Sequence, residues 1–134
     1  MHVTFGKGSN KEVKILETEF NFTRGNTYSR DFTINDYTQN IDDVYFTVKA
    51  SKTDKKPVIS KKLGRGIAIV EETENSKTFN LTIDSKDTDY LKSDSPYYFD
   101  FKIVTLTDTE PVKTTIITGT MTLEEDVTRV FNER

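Results

Sequence analysis

The fold is decided by two stretches near the C-terminus, YYFDFKIVTL (Tyr97–Leu106) and TTIITGTMTLEEDVTR (Thr114–Arg129). Both alternate apolar with polar residues and are rich in Tyr, Phe, Ile, Val and Thr, which is typical of β-strands with one buried face. The connection between them, TDTEPVK, contains a proline, which suits a turn and not a central strand. The two stretches therefore predict neighbouring strands of a sheet. The predicted inner face of the second consists of Ile117, Gly119, Met121 and Leu123.

The same period-two pattern recurs upstream and predicts further strands. Their ranges are Val13–Phe22, Tyr28–Ile34, Val44–Ser51, Val58–Lys62, Ile67–Glu72 and Thr78–Ile83. Turn signals recur about every 8–12 residues, which indicates antiparallel strands, because parallel strands need long helical crossovers. A short helical turn is expected near residues 85–91, where capping side chains precede Tyr90 and Leu91, which we expect to be tucked against the domain. We therefore predict an all-β fold, an antiparallel β-sandwich of about eight strands, either immunoglobulin-like or jelly-roll-like.

Length and composition predict a single small domain. The chain has 134 residues, enough for one hydrophobic core, and no internal repeat or linker is visible. We expect a flexible N-terminal arm over 1–11, a β-sandwich domain over 12–126 and a C-terminal extension over 127–134. In the extension, Val127, Val130 and Phe131 have the spacing of a short amphipathic turn, which would pack on its own domain or on a neighbour.

Charge and composition argue against several classes of function. The formal net charge is −3, which disfavours a surface that follows the phosphates of nucleic acid. No stretch approaches the roughly 18 apolar residues of a membrane span, and the first residues lack the apolar run of a signal peptide. Without Cys, neither disulfides nor thiolate metal sites are available. We therefore expect no cofactor, no metal, no nucleic acid and no membrane contact.

Few residues offer catalytic chemistry. His2 is the only histidine and lies in the predicted arm, which argues against His-based catalysis or metal binding. Asp84, Asp87 and Asp89 lack the Gly and Glu that an EF-hand loop requires, so we interpret them as capping and turn residues. Asp100 lies in mid-strand, and alternation places it outward, where it would pair with a cross-strand Lys or Arg. These residues predict a protein that is not an enzyme.

A lysine-rich hairpin stands out in an acidic chain. Gly64 and Gly66 enclose Arg65 in a turn that lacks the third glycine and the Lys-Ser/Thr ending of phosphate-binding loops. We interpret it as a hairpin or bulge turn. Three interpretations stay open for the surrounding basic residues: a solvated hairpin tip, a contact with an acidic partner, and a contact with nucleic acid. Nucleic acid is disfavoured because no aromatic platform accompanies the basic residues. They are Lys49, Lys52, Lys55, Lys56, Lys61, Lys62 and Arg65.

Four segments together resemble a group of small phage virion proteins. They read RGNTYSRDFTI, IDDVYFTVKAS, YYFDFKIVTL and TGTMTLEEDVTR, and the resemblance covers roughly Phe20 to Arg129. The pattern is similar to the N-terminal domain of baseplate upper proteins from phages of Gram-positive bacteria, and to stand-alone relatives encoded among phage structural genes. The matching residues are Gly25-Asn26-Thr27, Tyr98-Phe99-Asp100, Thr115, Gly119, Thr122 and Asp126-Val127-Thr128.

The resemblance implies a non-catalytic virion structural protein, assembled in the host cytoplasm, that binds other virion proteins or copies of itself. Such a protein would be a decoration, a neck or collar protein, or a tail or baseplate adaptor. The candidate partner contacts are Tyr45, Tyr98, Val130 and Phe131. One alternative is a module that binds host-surface glycans through Tyr28, Tyr45 or Tyr98, although the chain has no Trp for stacking. Others are a small phage protein that inhibits a host factor and, least favoured, an enzyme that relies on carboxylates alone.

Overall fold

The structure is a computed structural model made mostly of β-strands. It describes residues 2–5, 11–12, 16–35, 41–93, 95–106 and 110–125. One short helix, α1 (Ser85–Thr88), lies where a helical turn was predicted. After it, Leu91 packs against the core as expected, but the prediction for Tyr90 is wrong, because its side chain is 95% exposed. The strands are β1 (His2–Phe5), β2 (Lys11–Glu12), β3 (Leu16–Thr23), β4 (Tyr28–Asn35), β5 (Ile41–Lys49), β6 (Ile59–Leu63), β7 (Gly66–Glu72), β8 (Ser76–Ile83), β9 (Tyr97–Leu106) and β10 (Pro111–Glu124).

The strands form one hydrogen-bonded series that folds into two facing layers. Their order is β2-β1-β4-β8-β7-β6-β5-β9-β10-β3. β6 and β7 pair only at Lys62↔Gly66 and Leu63↔Ile67, and the series folds over at this narrow link. Phe32 of β4 and Phe101 of β9 are far apart in the order, yet their ring centroids lie 4.6 Å apart. The chain is therefore a β-sandwich, which confirms the predicted all-β fold class.

Most neighbouring strands are antiparallel, as predicted, but two pairs are parallel. β10 runs parallel to β3 from Ile117↔Leu16 to Glu124↔Thr23. The narrow β6–β7 link is also parallel. β3 and β4 are consecutive in the chain, yet β3 pairs with β10 and β4 pairs with β1 and β8. The turn between β3 and β4 therefore passes from one layer to the other, which strand patterns alone did not indicate.

The boundaries of the elements differ from the sequence predictions near the ends and at one turn. The predicted turn TDTEPVK is shorter, because Pro111 is the first residue of β10, a strand position that tolerates the missing N–H. Part of the predicted N-terminal arm lies in the sheet, since β1 pairs with β4 from His2↔Asn35 to Phe5↔Phe32. The C-terminal extension over 127–134 lies outside the described residues, so its boundary stays a prediction.

The core forms because alternate residues of each strand face inward. β8 buries Phe79, Leu81 and Ile83, and β9 buries Phe99 and Phe101 in the same alternating way. Each fully buried side chain of this size contributes about 1.5–3 kcal/mol to the free energy of unfolding. The residues between them face outward, and those of β5, β9 and β10 form the surface described in the next subsection.

β10 departs from strict alternation at a bulge. Its register with β9 shifts between Thr115 and Ile117, and Ile116 and Ile117 are both fully buried. The extra residue rotates the strand, so that alternation resumes with Met121 and Leu123 on the inner face, where they were predicted. The prediction missed only that Ile116 also enters the core.

Gly119 allows β3 to approach β10. A Cβ at this position would overlap the backbone carbonyl oxygen of Thr18 and would lie 3.2 Å from the Phe99 ring. β3 in turn carries Phe20, which is fully buried and stacks on Phe99 with ring centroids 4.4 Å apart. The absence of a side chain at position 119 therefore permits a strand that closes one edge of the core.

The turn between β3 and β4 is fixed to the short helix. Gly25 has a φ of +86°, a conformation that glycine adopts without strain. Its N–H donates to the Oγ1 of the buried Thr88, at 2.8 Å. At the start of α1, the Asp84 N–H donates to the Asp87 carboxylate, also at 2.8 Å. The Gly-Asn-Thr turn and the aspartate cluster, which the sequence offered as separate features, are thus joined through Thr88.

Candidate functional site

The outward side chains of β5, β9 and β10 form a polar surface. In the strand register, Tyr45 lies opposite Lys102 and Lys49 lies opposite Tyr98. A row of Thr47, Asp100 and Thr118 crosses the three strands between these two pairs. We name the surface the Tyr–Lys face, and it consists of Tyr45, Thr47, Lys49, Lys52, Lys62, Tyr98, Asp100, Lys102 and Thr118.

Each tyrosine of the Tyr–Lys face has a lysine ammonium near its ring. Lys52 Nζ lies 5.4 Å from the centroid of Tyr98, and Lys62 Nζ lies 5.8 Å from that of Tyr45. Cation–π contacts at exposed sites contribute about 0.5–1 kcal/mol, enough to favour these orientations. The tyrosines are four positions apart on neighbouring strands, which separates them by about 14 Å. The face therefore presents two similar aromatic and cationic sites on a rigid sheet.

Two shallow depressions meet at Tyr98. The first has a volume of about 430 Å³ and the second of about 370 Å³, and both are lined by Lys52, Tyr98 and Thr118. Lys49, Asp100 and Lys102 complete the first. The second continues towards β3 and is also lined by Thr18 and Glu19 of β3 and by Thr120 of β10. Together they form one open groove around the Tyr98 ring.

Asp100 is the carboxylate at the centre of this surface. It faces outward and is half-buried, and its register partners are Thr47 on β5 and Thr118 on β10. The residues directly opposite it are therefore neutral, and the predicted pairing with a cross-strand Lys or Arg is not formed. Among the described residues, no cation lies within ion-pair distance of its carboxylate. Asp100 instead lowers the positive charge in the middle of a lysine-rich surface.

The structure brings together two of the four predicted contact residues. Tyr45 and Tyr98 share the Tyr–Lys face, whereas Val130 and Phe131 lie outside the described residues. Tyr28, the third tyrosine proposed for glycan stacking, is half-buried and stacks on Phe22 with ring centroids 4.4 Å apart. Its ring is covered by β3, which the sequence could not place beside it. Tyr28 therefore lies apart from the Tyr–Lys face, with Phe22 stacked on its ring.

The lysines of the lysine-rich hairpin lie in different parts of the structure. Lys52 and Lys62 contribute to the Tyr–Lys face, and Lys62 also lies 3.7 Å from Asp43. Lys61 points elsewhere and forms a 2.7 Å ion pair with Asp87 of α1. The glycines have φ values of +90° at Gly64 and +94° at Gly66, as expected for a tight turn. The hairpin is thus a structural turn, and only part of its charge belongs to one surface.

The aspartates near α1 form a hydrogen bond at the start of the helix and an ion pair with a neighbouring lysine. Asp87 accepts the N–H of Asp84 and the ammonium of Lys61 through the same carboxylate oxygen. This arrangement agrees with the interpretation of the cluster as capping and turn residues. Within the part of the chain that the structure describes, no group of three or more His, Cys, Asp or Glu could hold a metal ion.

One charged feature was not singled out from the sequence. Glu71, Glu72 and Glu74 are exposed at the end of β7 and in the turn before β8. Beside them, Ile69 and Val70 are 44% and 54% exposed. We name these five residues the acidic hairpin. The signal was present in the sequence as the run EETEN directly after IAIV.

Comparisons with known proteins identify no family for this chain. No protein-family model matches the chain, and no curated protein sequence matches it. Among solved structures, it is similar to the periplasmic chaperone SfaE, with 12% identity and a TM-score of 0.42. The match covers 95% of this chain and 60% of the chaperone, so this chain spans less than two thirds of it.

A second solved structure is the CooA pilin subunit from enterotoxigenic Escherichia coli, with 12% identity, a TM-score of 0.35 and coverage of 92% of this chain and 99% of the pilin. Both TM-scores are low, so neither likeness enters the functional argument. As for membranes, none of the helices among the described residues has the length and apolar character needed to cross one.

Proposed function

We propose that this protein is a non-catalytic assembly protein that binds other protein chains through the Tyr–Lys face. The observation that carries the proposal is the placement of Tyr45 and Tyr98 on one rigid sheet face, each beside lysine ammonium groups. Tyrosines supply large contact areas at low entropic cost, and they are enriched where protein chains meet. A sheet also holds such side chains at fixed spacing, which suits a contact that repeats in an assembly.

The chemistry of the face supports binding over catalysis. Its central carboxylate, Asp100, has neutral threonines as register partners. The carboxylates at its margins are Glu19, in the groove around Tyr98, and Asp43, which is paired with Lys62. Glycoside hydrolysis usually needs a pair of carboxylates that flank the substrate, and acyl transfer needs a nucleophile with an adjacent base. The only histidine of the chain, His2, lies in β1, a strand that does not contribute to this face. No cofactor is part of the proposal.

The assembly that we propose is a phage virion, in which the protein serves as a decoration, a neck or collar protein, or a tail or baseplate adaptor. The support for this location is the sequence resemblance alone. Its Tyr-Phe-Asp motif places Tyr98 and Asp100 on the Tyr–Lys face and Phe99 in the core. Its Gly-Asn-Thr turn supplies Gly25, whose N–H is bound by Thr88. The partners would be other virion proteins or further copies of this chain.

Co-expression with the products of the neighbouring genes tests the proposal. We expect at least one product to migrate with this protein in size-exclusion chromatography. The variant Tyr45→Ala/Tyr98→Ala should lose that comigration. The control Tyr90→Ala removes a tyrosine that is 95% exposed and lies outside the face, and it should keep comigration. Comigration that survives the double variant, or that is lost equally in the control, would contradict the proposal.

The groove around Tyr98 favours a second candidate function, the binding of a host-surface glycan. Its volume of about 430 Å³ and its lining of Thr, Lys and Asp side chains offer hydroxyl, ammonium and carboxylate groups beside one aromatic ring. A host-envelope glycan array distinguishes the two candidates. Binding that is lost in Tyr98→Ala and kept in Tyr90→Ala would support the glycan, and a flat response across the array would remove it.

A further inference from the structure

The acidic hairpin contains a hydrogen-bonded turn. The turn that joins β7 to β8 is closed by the Thr73 N–H, which donates to the Ser76 carbonyl at 2.8 Å. The hydroxyls of the same two residues lie 2.6 Å apart. Glu72 pairs with Lys77 in the register, directly beside this turn. The carboxylates are therefore carried by a hairpin with defined backbone geometry.

Next to the carboxylates, β7 exposes apolar side chains and part of its backbone edge. The register with β8 shifts between Ile69 and Glu71, so Val70 has no directly opposite residue. Ile69 and Val70 are both more than one third exposed. Among the described residues, β7 pairs with β6 only at Gly66 and Ile67, which leaves residues 68–72 without a strand on that side. Such a patch on a small domain is typical of a contact surface.

The acidic hairpin and the Tyr–Lys face lie towards opposite ends of the sandwich. From the hairpin, β8 runs away to Ile83 and then to α1. The Lys49 end of β5 pairs with Tyr98, near the start of β9, and β9 begins shortly after α1. The Tyr98 groove is therefore near the α1 end, whereas Glu72 and Glu74 are at the other end and in the other layer. One molecule cannot bring its own two surfaces together.

We infer that the acidic hairpin of one copy docks on the Tyr–Lys face of a second copy. The face carries four lysines, which are Lys49, Lys52, Lys62 and Lys102. Its carboxylates are Asp100 at the centre and, at the margins, Asp43 beside Lys62 and Glu19 in the groove around Tyr98. The hairpin carries three carboxylates. The exposed Ile69 and Val70 would pack beside the tyrosine rings. Opposite charges on two separate surfaces of the same chain favour a contact between copies, because like surfaces repel.

The contact is heterologous, since it joins two different surfaces. Each copy then retains one unused face and one unused hairpin, and copies continue to add until a ring closes or a filament grows. This inference rests on the proposed function, because it assigns a second copy of this chain as the partner of the Tyr–Lys face. A glycan or a different protein on that face would give other outcomes in the experiment below.

Sedimentation velocity of the full chain, over a concentration series, tests the inference. At low ionic strength we expect the weight-average mass to rise with concentration above that of the monomer. At high ionic strength we expect the rise to weaken, because salt screens contacts between exposed charges. A monomer at every concentration and at both ionic strengths would overturn the inference. So would an association that high salt leaves unchanged.

Charge-reversal variants identify the two surfaces. Glu71→Lys/Glu72→Lys places positive charge against the face, and Lys49→Glu/Lys102→Glu places negative charge against the hairpin. Each variant alone should associate at least about tenfold more weakly than the wild type, because it presents two surfaces of like charge. An equimolar mixture of the two should associate again, which also shows that both variants are folded. The control Lys86→Glu/Lys92→Glu has the same change in net charge as Lys49→Glu/Lys102→Glu. Its substitutions lie near α1, outside the Tyr–Lys face, and it should associate like the wild type.

The outcomes separate this inference from the proposed function. If the two variants fail to recover association when mixed, or if either associates alone like the wild type, the inference is wrong. If the wild type is monomeric yet comigrates with a neighbouring gene product through Tyr45 and Tyr98, the inference fails and the proposed function stands. If neither self-association nor comigration occurs, both fail.

Discussion

Replacement of Gly119 by Ala perturbs the contact that holds β3 against β10. The added Cβ would overlap the Thr18 carbonyl oxygen and crowd the Phe99 ring, so β3 must move away. Overpacking of this kind costs about 1–3 kcal/mol. The movement also weakens the stacking of Phe20 on Phe99, and complete exposure of one buried Phe costs about 1.5–3 kcal/mol. We expect the free energy of unfolding to fall by about 3 kcal/mol, within the range of these two effects.

Urea unfolding, followed by circular dichroism, measures this loss. With a slope of about 1–3 kcal/mol per molar urea, the midpoint should fall by about 1–3 M. Gly64→Ala is the matched control, because Gly64 has a φ of +90° and no described atom within 4 Å of an added Cβ. Its cost comes from the backbone alone and should be about 1–2 kcal/mol.

The sign of the change in unfolding free energy for Gly119→Ala tests the close approach of β3 to β10. Gly119 does not have a positive φ, so without a clash the substitution should stabilise the protein by about 0.4–1 kcal/mol, through the unfolded chain. A midpoint at or above that of the wild type would therefore refute the close approach of β3 to β10. A loss smaller than that of Gly64→Ala would show that β3 moves at little cost.

Three further substitutions test other parts of the structure. Thr88→Val should lower the free energy of unfolding by about 1–3 kcal/mol, because the Gly25 N–H loses its acceptor, and Thr88→Ser should restore most of it in thermal unfolding. Lys61→Met should cost about 1–3 kcal/mol, since the ion pair with Asp87 has side chains only 13% and 20% exposed, and urea titration at high salt should show only a modest reduction of that loss. Phe46→Ala should cost about 3–5 kcal/mol by urea titration, and a cost near zero would contradict its burial in the core.

The sandwich could be predicted from the sequence because strand alternation is a local property. In β9, Phe99 and Phe101 face the core and Tyr98, Asp100 and Lys102 face outward, as period two requires. The same reasoning placed Tyr45 and Tyr98 on the outside. It did not place them on one face, because the register between β5 and β9 depends on pairing over a long sequence separation.

The features that the sequence did not indicate have physical causes of the same kind. Ile116 enters the core because a bulge adds a residue, and bulges leave no clear mark in an alternating pattern. Tyr28 is covered because β3 crosses to the opposite layer and lays Phe22 on its ring. Ile69 and Val70 are exposed because β6 leaves β7 after two register pairs. Each result depends on a strand that is distant in the sequence or on an irregular register.

Lysine-directed cross-linking of purified virions, followed by mass spectrometry, tests the central proposal most directly, because it examines the protein in the assembly that we propose. The proposal predicts cross-links to other chains or copies from Lys49, Lys52 and Lys102, which lie on the Tyr–Lys face. Lys86 and Lys92, near α1, should give few. The absence of this chain from the particles, or intermolecular cross-links confined to Lys86 and Lys92, would contradict the proposal.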